Sequence, residues 1–151
     1  NMTLLNVHKT GARELRELSD EGPYYPCEEV AEIYRSGCYY RLPEWWTGVY
    51  SSAGIHKIDT LCAGIVRDED RPWCYRGIGL LTQEWDEYED NDADFVCSSI
   101  ATVENQAYCY QGVRQNYVAF REPEVVSGDF YCDQFTAENK INCLEDIPSG
   151  L

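Results

Sequence analysis

The sequence predicts an all-α protein, a disulfide-stapled helical-hairpin repeat forming an α-solenoid-like stack of four units of about 35 residues. Three observations carry that expectation. The eight cysteines fall on two ladders of nearly constant step, other residues move in register with them, and the segments between follow a helical period.

The first ladder is Cys27, Cys62, Cys97 and Cys132, each 35 residues after the one before. The second is Cys38, Cys74, Cys109 and Cys143, with steps of 36, 35 and 34. There is no Cys-x-x-Cys pair and no Cys-x-x-Cys-His run, and His8 and His56 lie far apart, so zinc and haem attachment fit poorly. An even count at wide, regular spacing reads as disulfides made in an oxidising compartment. The repeat favours one bridge per unit: Cys27–Cys38, Cys62–Cys74, Cys97–Cys109 and Cys132–Cys143. Each closes a loop of about 12 residues, a contribution of roughly 3 kcal/mol on the chain-entropy model.

The elements follow in order. Residues 1–23 carry Ala12, Leu15 and Leu18 at helical spacing and are expected to form an N-terminal cap on a single domain, 1–151. Units then run 24–58, 59–93, 94–128 and 129–151, the last truncated. Asp59, Asp94 and Asp129 each stand three residues before a first cysteine, where a carboxylate is a good helix N-cap. Val30, Ile65, Ile100 and Phe135 stand three residues after one, all apolar. Polar breaks are expected at 34–37, 68–72, 104–106 and 138–140, with the second cysteine opening a second helix. In the third unit Cys109, Val113 and Tyr117 then share one face. A tyrosine follows the second cysteine at Tyr39, Tyr75 and Tyr110. The parallel runs Trp73-Cys74-Tyr75-Arg76-Gly77 and Tyr108-Cys109-Tyr110-Gln111-Gly112 place glycines inside helices, where each costs up to about 1 kcal/mol against alanine. Close approach of two helices is the expected reason.

Paired cysteines in αα units of this length resemble the disulfide-bridged Sel1-like repeat proteins, relatives of tetratricopeptide repeats. The resemblance spans residues 24–147. It implies a secreted or periplasmic, non-enzymatic helical scaffold that binds other proteins.

Charge narrows the partners. Twelve Lys and Arg against 27 Asp and Glu leave a net charge of −15 and a pI near 4.3. Such a field repels phosphate backbones and anionic lipid headgroups, so nucleic acid and membrane surfaces are disfavoured. No apolar run approaches the ~20 residues that span a bilayer. The opening Asn1-Met2-Thr3 suggests a start after a removed signal, or one segment of a longer polypeptide, and makes Asn1 a glycosylation candidate. An extracellular or periplasmic location is expected.

No catalytic pattern stands out: no Gly-x-Ser-x-Gly frame surrounds a serine, and His56 has no identifiable partner. No enzyme activity and no cofactor are expected. In the acidic stretch 86–94, Asp90, Asp92 and Asp94 mimic the first ligands of an EF-hand, yet Phe95 stands at the required glycine and Ala101 at the final glutamate. They are Ca²⁺ candidates, and the alternative reading of the same stretch is a solvated inter-unit loop. The segment Tyr39, Tyr40, Arg41, Trp45 and Trp46 concentrates the residue types that anchor interfaces and is the expected partner-binding surface. The functional expectation is an exported, non-enzymatic protein-binding scaffold, of the kind that serves as an accessory or structural subunit of an extracellular or periplasmic assembly. A small-ligand or divalent-cation-binding module is the second reading, and an enzyme of unknown class the third.

Overall fold

The computed structural model describes residues 22–49, 54–82, 92–120 and 129–147, and all regular structure among them is helical. The α-helices are α1 (Glu32–Val49), α2 (Gly54–Ala63), α3 (Arg71–Leu81), α4 (Asp92–Ser98), α5 (Val103–Phe120) and α6 (Ala137–Leu144), with a 3₁₀ helix at Asp129–Gln134. The expected cap lies almost wholly outside the described residues. Four bridges join Cys27 to Cys38, Cys62 to Cys74, Cys97 to Cys109 and Cys132 to Cys143, with Cα separations of 5.5–5.6 Å. All eight cysteines are buried. No described helix is long and apolar enough to cross a membrane.

Each bridge ties a first, short element to a second helix. The first elements are the turns of 23–30, then α2, α4 and the 3₁₀ helix; the second are α1, α3, α5 and α6. Two expectations need correction here. The second helices begin before the second cysteine, so 34–37, 104–106 and 138–140 are helical and not breaks. Their acidic residues Glu32, Glu104 and Glu138 sit in first turns, where negative charge complements the positive helix end. The chain reverses instead at 64–70 and 99–102.

The aspartates are also not caps. Asp59 lies within α2 and Asp94 within α4, because both helices start earlier than expected. Each instead faces the tyrosine that follows the second cysteine of its own unit. Tyr75 donates to Asp59 Oδ1 and Tyr110 to Asp94 Oδ1, both at 3.0 Å and both across 16 residues. The backbone N–H of Ala101 donates to the other Asp59 oxygen at 3.1 Å, so Asp59 also reaches the next unit. Asp129 begins the 3₁₀ helix.

One core runs through all four units, including Ile65, Ile100 and Phe135 from the column three residues past each first cysteine. Tyr110 of the third unit stacks on Tyr131 of the fourth at 5.6 Å and meets Phe135 edge-on at 5.7 Å. Consecutive second helices pack on each other: α3 on α1, α5 on α3, α6 on α5. The glycines make this possible. A Cβ at Gly77 would overlap the backbone carbonyl of Tyr40, and one at Gly112 the carbonyl of Arg76. Both are the same contact, from three residues past one second cysteine to two residues past the previous one. A Cβ at Gly79 would likewise overlap the Cys109 carbonyl. In the third unit the equivalent of Gly79 is Arg114, whose guanidinium reaches the carbonyls of Cys143, Leu144 and Glu145 at 3.3, 2.5 and 2.9 Å. A cation thereby meets the exposed carbonyls at the C-terminus of α6.

Charge crosses the first junction too. Arg35 of α1 stands 3.2 Å from Asp70, just before α3, without hydrogen-bond alignment. Burial raises the Asp70 carboxyl above its ordinary range, against the opposing pull of Arg35.

The glycine contacts predict a reversal of sign. In an open helix Gly→Ala stabilises by up to about 1 kcal/mol. At Gly48 a new methyl meets nothing within 4 Å, so Gly48→Ala should raise the denaturant midpoint. Gly77→Ala and Gly112→Ala should lower it, at a cost of roughly 1–3 kcal/mol each. The same direction at all three sites would contradict the packing described.

The tyrosine–aspartate bonds predict a second pattern. Tyr75→Phe should cost about 1.5–3 kcal/mol, as expected for a buried bond to a charged acceptor. Tyr110→Phe should cost less, because Asp94 is exposed. Burial pushes the Tyr39 and Tyr110 phenols up to about 12, and burial together with the Asp59 charge raises the Tyr75 phenol as well. The folded state favours the protonated phenol, so this stabilisation is complete below the ordinary value of 10.0 and is lost as pH rises through about 12. Denaturant midpoints measured across the alkaline range should fall accordingly, with a shallower fall for Tyr75→Phe.

Candidate functional site: an arginine between two aromatic rings

The helical period of α1 turns Tyr39, Leu42 and Trp46 to one face, and that face is the core. Trp46 is wholly buried; its indole N–H donates to the Pro23 carbonyl at 2.8 Å, and its ring meets Tyr24 edge-on at 6.0 Å. Tyr40 is buried in a smaller cluster with Leu80 and Ile147. Tyr39, Tyr40 and Trp46 therefore hold the fold together, and the expectation that they form a partner-binding surface is corrected. Their aromatic area is already covered by the chain's own helices. Trp45 and Arg41 stay half-buried, and Arg41 pairs with Glu44 at 3.8 Å.

Most of the acidic stretch 86–94 lies outside the described residues. Asp90 and Asn1 lie outside the described residues. Asp92 begins α4, and the Asp94 carboxylate is engaged by Tyr110. Among the described residues no three His, Cys, Asp or Glu side chains converge as metal ligands would.

The arrangement with chemical character lies elsewhere, on the second helices. Trp73 and Tyr108 each immediately precede a second cysteine, so the repeat sets them side by side on α3 and α5. Arg76, one turn along α3 from Trp73, lies between the two rings. Its guanidinium carbon is 4.3 Å from the Trp73 centroid and 5.1 Å from that of Tyr108. Both contacts fall within cation–π range. The Arg76 Nε donates to Gln111 Oε1, and Gln111 Nε2 donates to the Glu145 carbonyl at 2.6 Å. Arg76, Gln111 and Glu145 are thus the same repeat position in three successive units, two past the second cysteine.

Electrostatically Arg76 differs from its neighbours. Arg35, Arg41, Arg67, Arg71 and Arg114 each face a carboxylate at 2.8–3.8 Å. Among the described residues no carboxylate pairs with Arg76. Burial lowers its affinity for the proton, countered in part by Tyr108, Glu145 and Tyr40 nearby. Burial likewise raises the Tyr108 phenol, with Glu104 adding to it. The site did not follow from reading along the chain. The signal that finds it is the column: aligning the units on their second cysteines puts Trp73 above Tyr108 and Arg76 above Gln111.

Trp46→Ala should cost about 3–5 kcal/mol of stability, the usual loss for an aromatic removed from a core. Trp45→Ala, at a half-buried position, should cost far less by the same denaturation measurement. Comparison of the chain with protein-family models, with curated proteins and with solved structures finds no match in any of the three.

Proposed function

We propose that this chain is an exported, non-enzymatic protein-binding scaffold whose contact surface lies along the turns between first and second elements. The observation that carries this reading is a recurrence. Ile33 and Tyr34 in the first unit, Val66 in the second and Val103 in the third are large apolar residues at or beside these turns. They are 76, 57, 83 and 55% exposed. Scattered exposed apolar residues are ordinary, but their recurrence around the turn of three successive units, at differing repeat positions, favours a shared use. Exposed acids stand beside each: Glu28 and Glu32, Asp68 and Glu69, Glu104. On a chain of net charge −15 the fitting partner is a protein that offers apolar side chains set among basic ones. Four buried disulfides support an oxidising, extracellular-type compartment as its setting.

Val66→Glu and Val103→Glu test the reading, because both positions are exposed and the folded state should tolerate the change. The partner cross-linked to the chain in its native source should bind each variant more weakly, by about 2 kcal/mol or more if the position is a hot spot. Its affinity for the unmodified chain should fall with added salt. Unchanged affinity in both variants, with unchanged melting, would refute this surface.

A further inference from the structure

We propose that the Arg76 guanidinium, between Trp73 and Tyr108, is a binding site for a monocarboxylate attached to a flat or apolar body. Three features of the site lead there, and none depends on the protein-docking surface.

The first is the unmatched charge. In a chain with 27 acidic residues every other described arginine has found a carboxylate, while Arg76 is held by one amide and two rings. The Gln111 amide takes only the Nε proton, so the Nη groups, whose paired N–H donors match a carboxylate side by side, are not consumed by it. The second is pre-organisation. The rings lie 4.3 and 5.1 Å from the guanidinium carbon, and Gln111 holds Nε, so little side-chain freedom remains to be lost on binding. The third is selectivity. The field of a chain at −15 opposes a doubly charged phosphate more strongly than a singly charged carboxylate. The half-buried Trp73 and Tyr108 faces favour an aryl or alkyl group beside the charge. Glu145, exposed and close enough to act on both Arg76 and Tyr108, is the internal anion that a ligand must outcompete.

The test is an NMR titration of the labelled, disulfide-intact chain with benzoate, using benzamide as the neutral isostere. The expected result is saturable shifts centred on the Trp73 indole and on Tyr108 with benzoate and none with benzamide. Glu145→Gln should tighten benzoate binding, Arg76→Lys should weaken it severalfold, and Arg76→Gln should abolish it. Failure to saturate, or equal response to benzamide, overturns the site on the native chain alone, whatever the folding of the Arg76 variants. So does unchanged benzoate binding in a folded Arg76→Gln chain. A short glycine peptide ending in phenylalanine, with free or amidated C-terminus, separates the sources. Tighter saturation of the same signals by the free-acid peptide than by benzoate assigns the carboxylate to a peptide end. The reverse order assigns it to a free small molecule. Val66→Glu leaves all these outcomes unchanged, so this site and the docking surface fail or stand separately.

Discussion

Neighbouring second helices in this protein touch backbone to backbone, and the rest of the structure depends on how close that contact is. With Gly77 against the Tyr40 carbonyl and Gly112 against that of Arg76, no side chain separates α3 from α1 or α5 from α3. A larger residue at either glycine would push the helices apart, because interhelical distance is set by the side chains at the contact. At the spacing observed, side chains at equivalent positions of successive units come within reach of one another. Arg76 then bonds Gln111, Gln111 bonds the Glu145 carbonyl, and Trp73 and Tyr108 stand on either side of Arg76. The glycines thus surrender helix propensity to obtain a cross-unit column.

Within each unit a different device operates. The first elements are short: α2 has 10 residues, α4 has 7, and the 3₁₀ helix has 6. Helices of that length are marginal in water without tertiary support. A buried disulfide ties each to its second helix, and in two units a tyrosine–aspartate bond fixes the pair at another point. Covalent and hydrogen-bonded ties together hold a first element in register where its own backbone bonds would not.

The helical class, the one-bridge-per-unit repeat and the role of Gly77 and Gly112 were legible in the sequence because each is a property of spacing. Thirty-five-residue steps and in-register glycines survive without knowing any contact. What was misread depended on direction. Asp59 and Asp94 have the chemistry of caps, and nothing local says that α2 and α4 begin upstream and turn those carboxylates toward Tyr75 and Tyr110. Arg35 and Ser36, Glu104 and Glu138 looked like interruptions because polarity marks a loop and the first turns of a helix alike. The aromatic run 39–46 suggested an interface by composition, but composition does not distinguish aromatics that face a partner from aromatics that face the protein's own helices. Trp46, with no exposed surface and a bond to Pro23, is the second kind.

The substitution of Arg114 for the glycine used one unit earlier has a consequence for how the molecule opens. At the junction of α3 and α5 the neighbours are joined by apposed backbones, a contact that water cannot enter without separating the helices. At the junction of α5 and α6, Arg114, Gln111 and Gln115 supply polar arms that reach the end of the last hairpin. Polar arms can exchange protein partners for water one at a time. The last hairpin is also short, and Ile141 on it is 60% exposed while its equivalent Ala107 is wholly covered. Fluctuational opening should therefore start at the fourth hairpin and move inward, so that backbone amides of α6 exchange with solvent sooner than those of α3 and α5, as cooperative units of unequal stability do. The stack has a directional weakness, written by one residue that replaces a glycine.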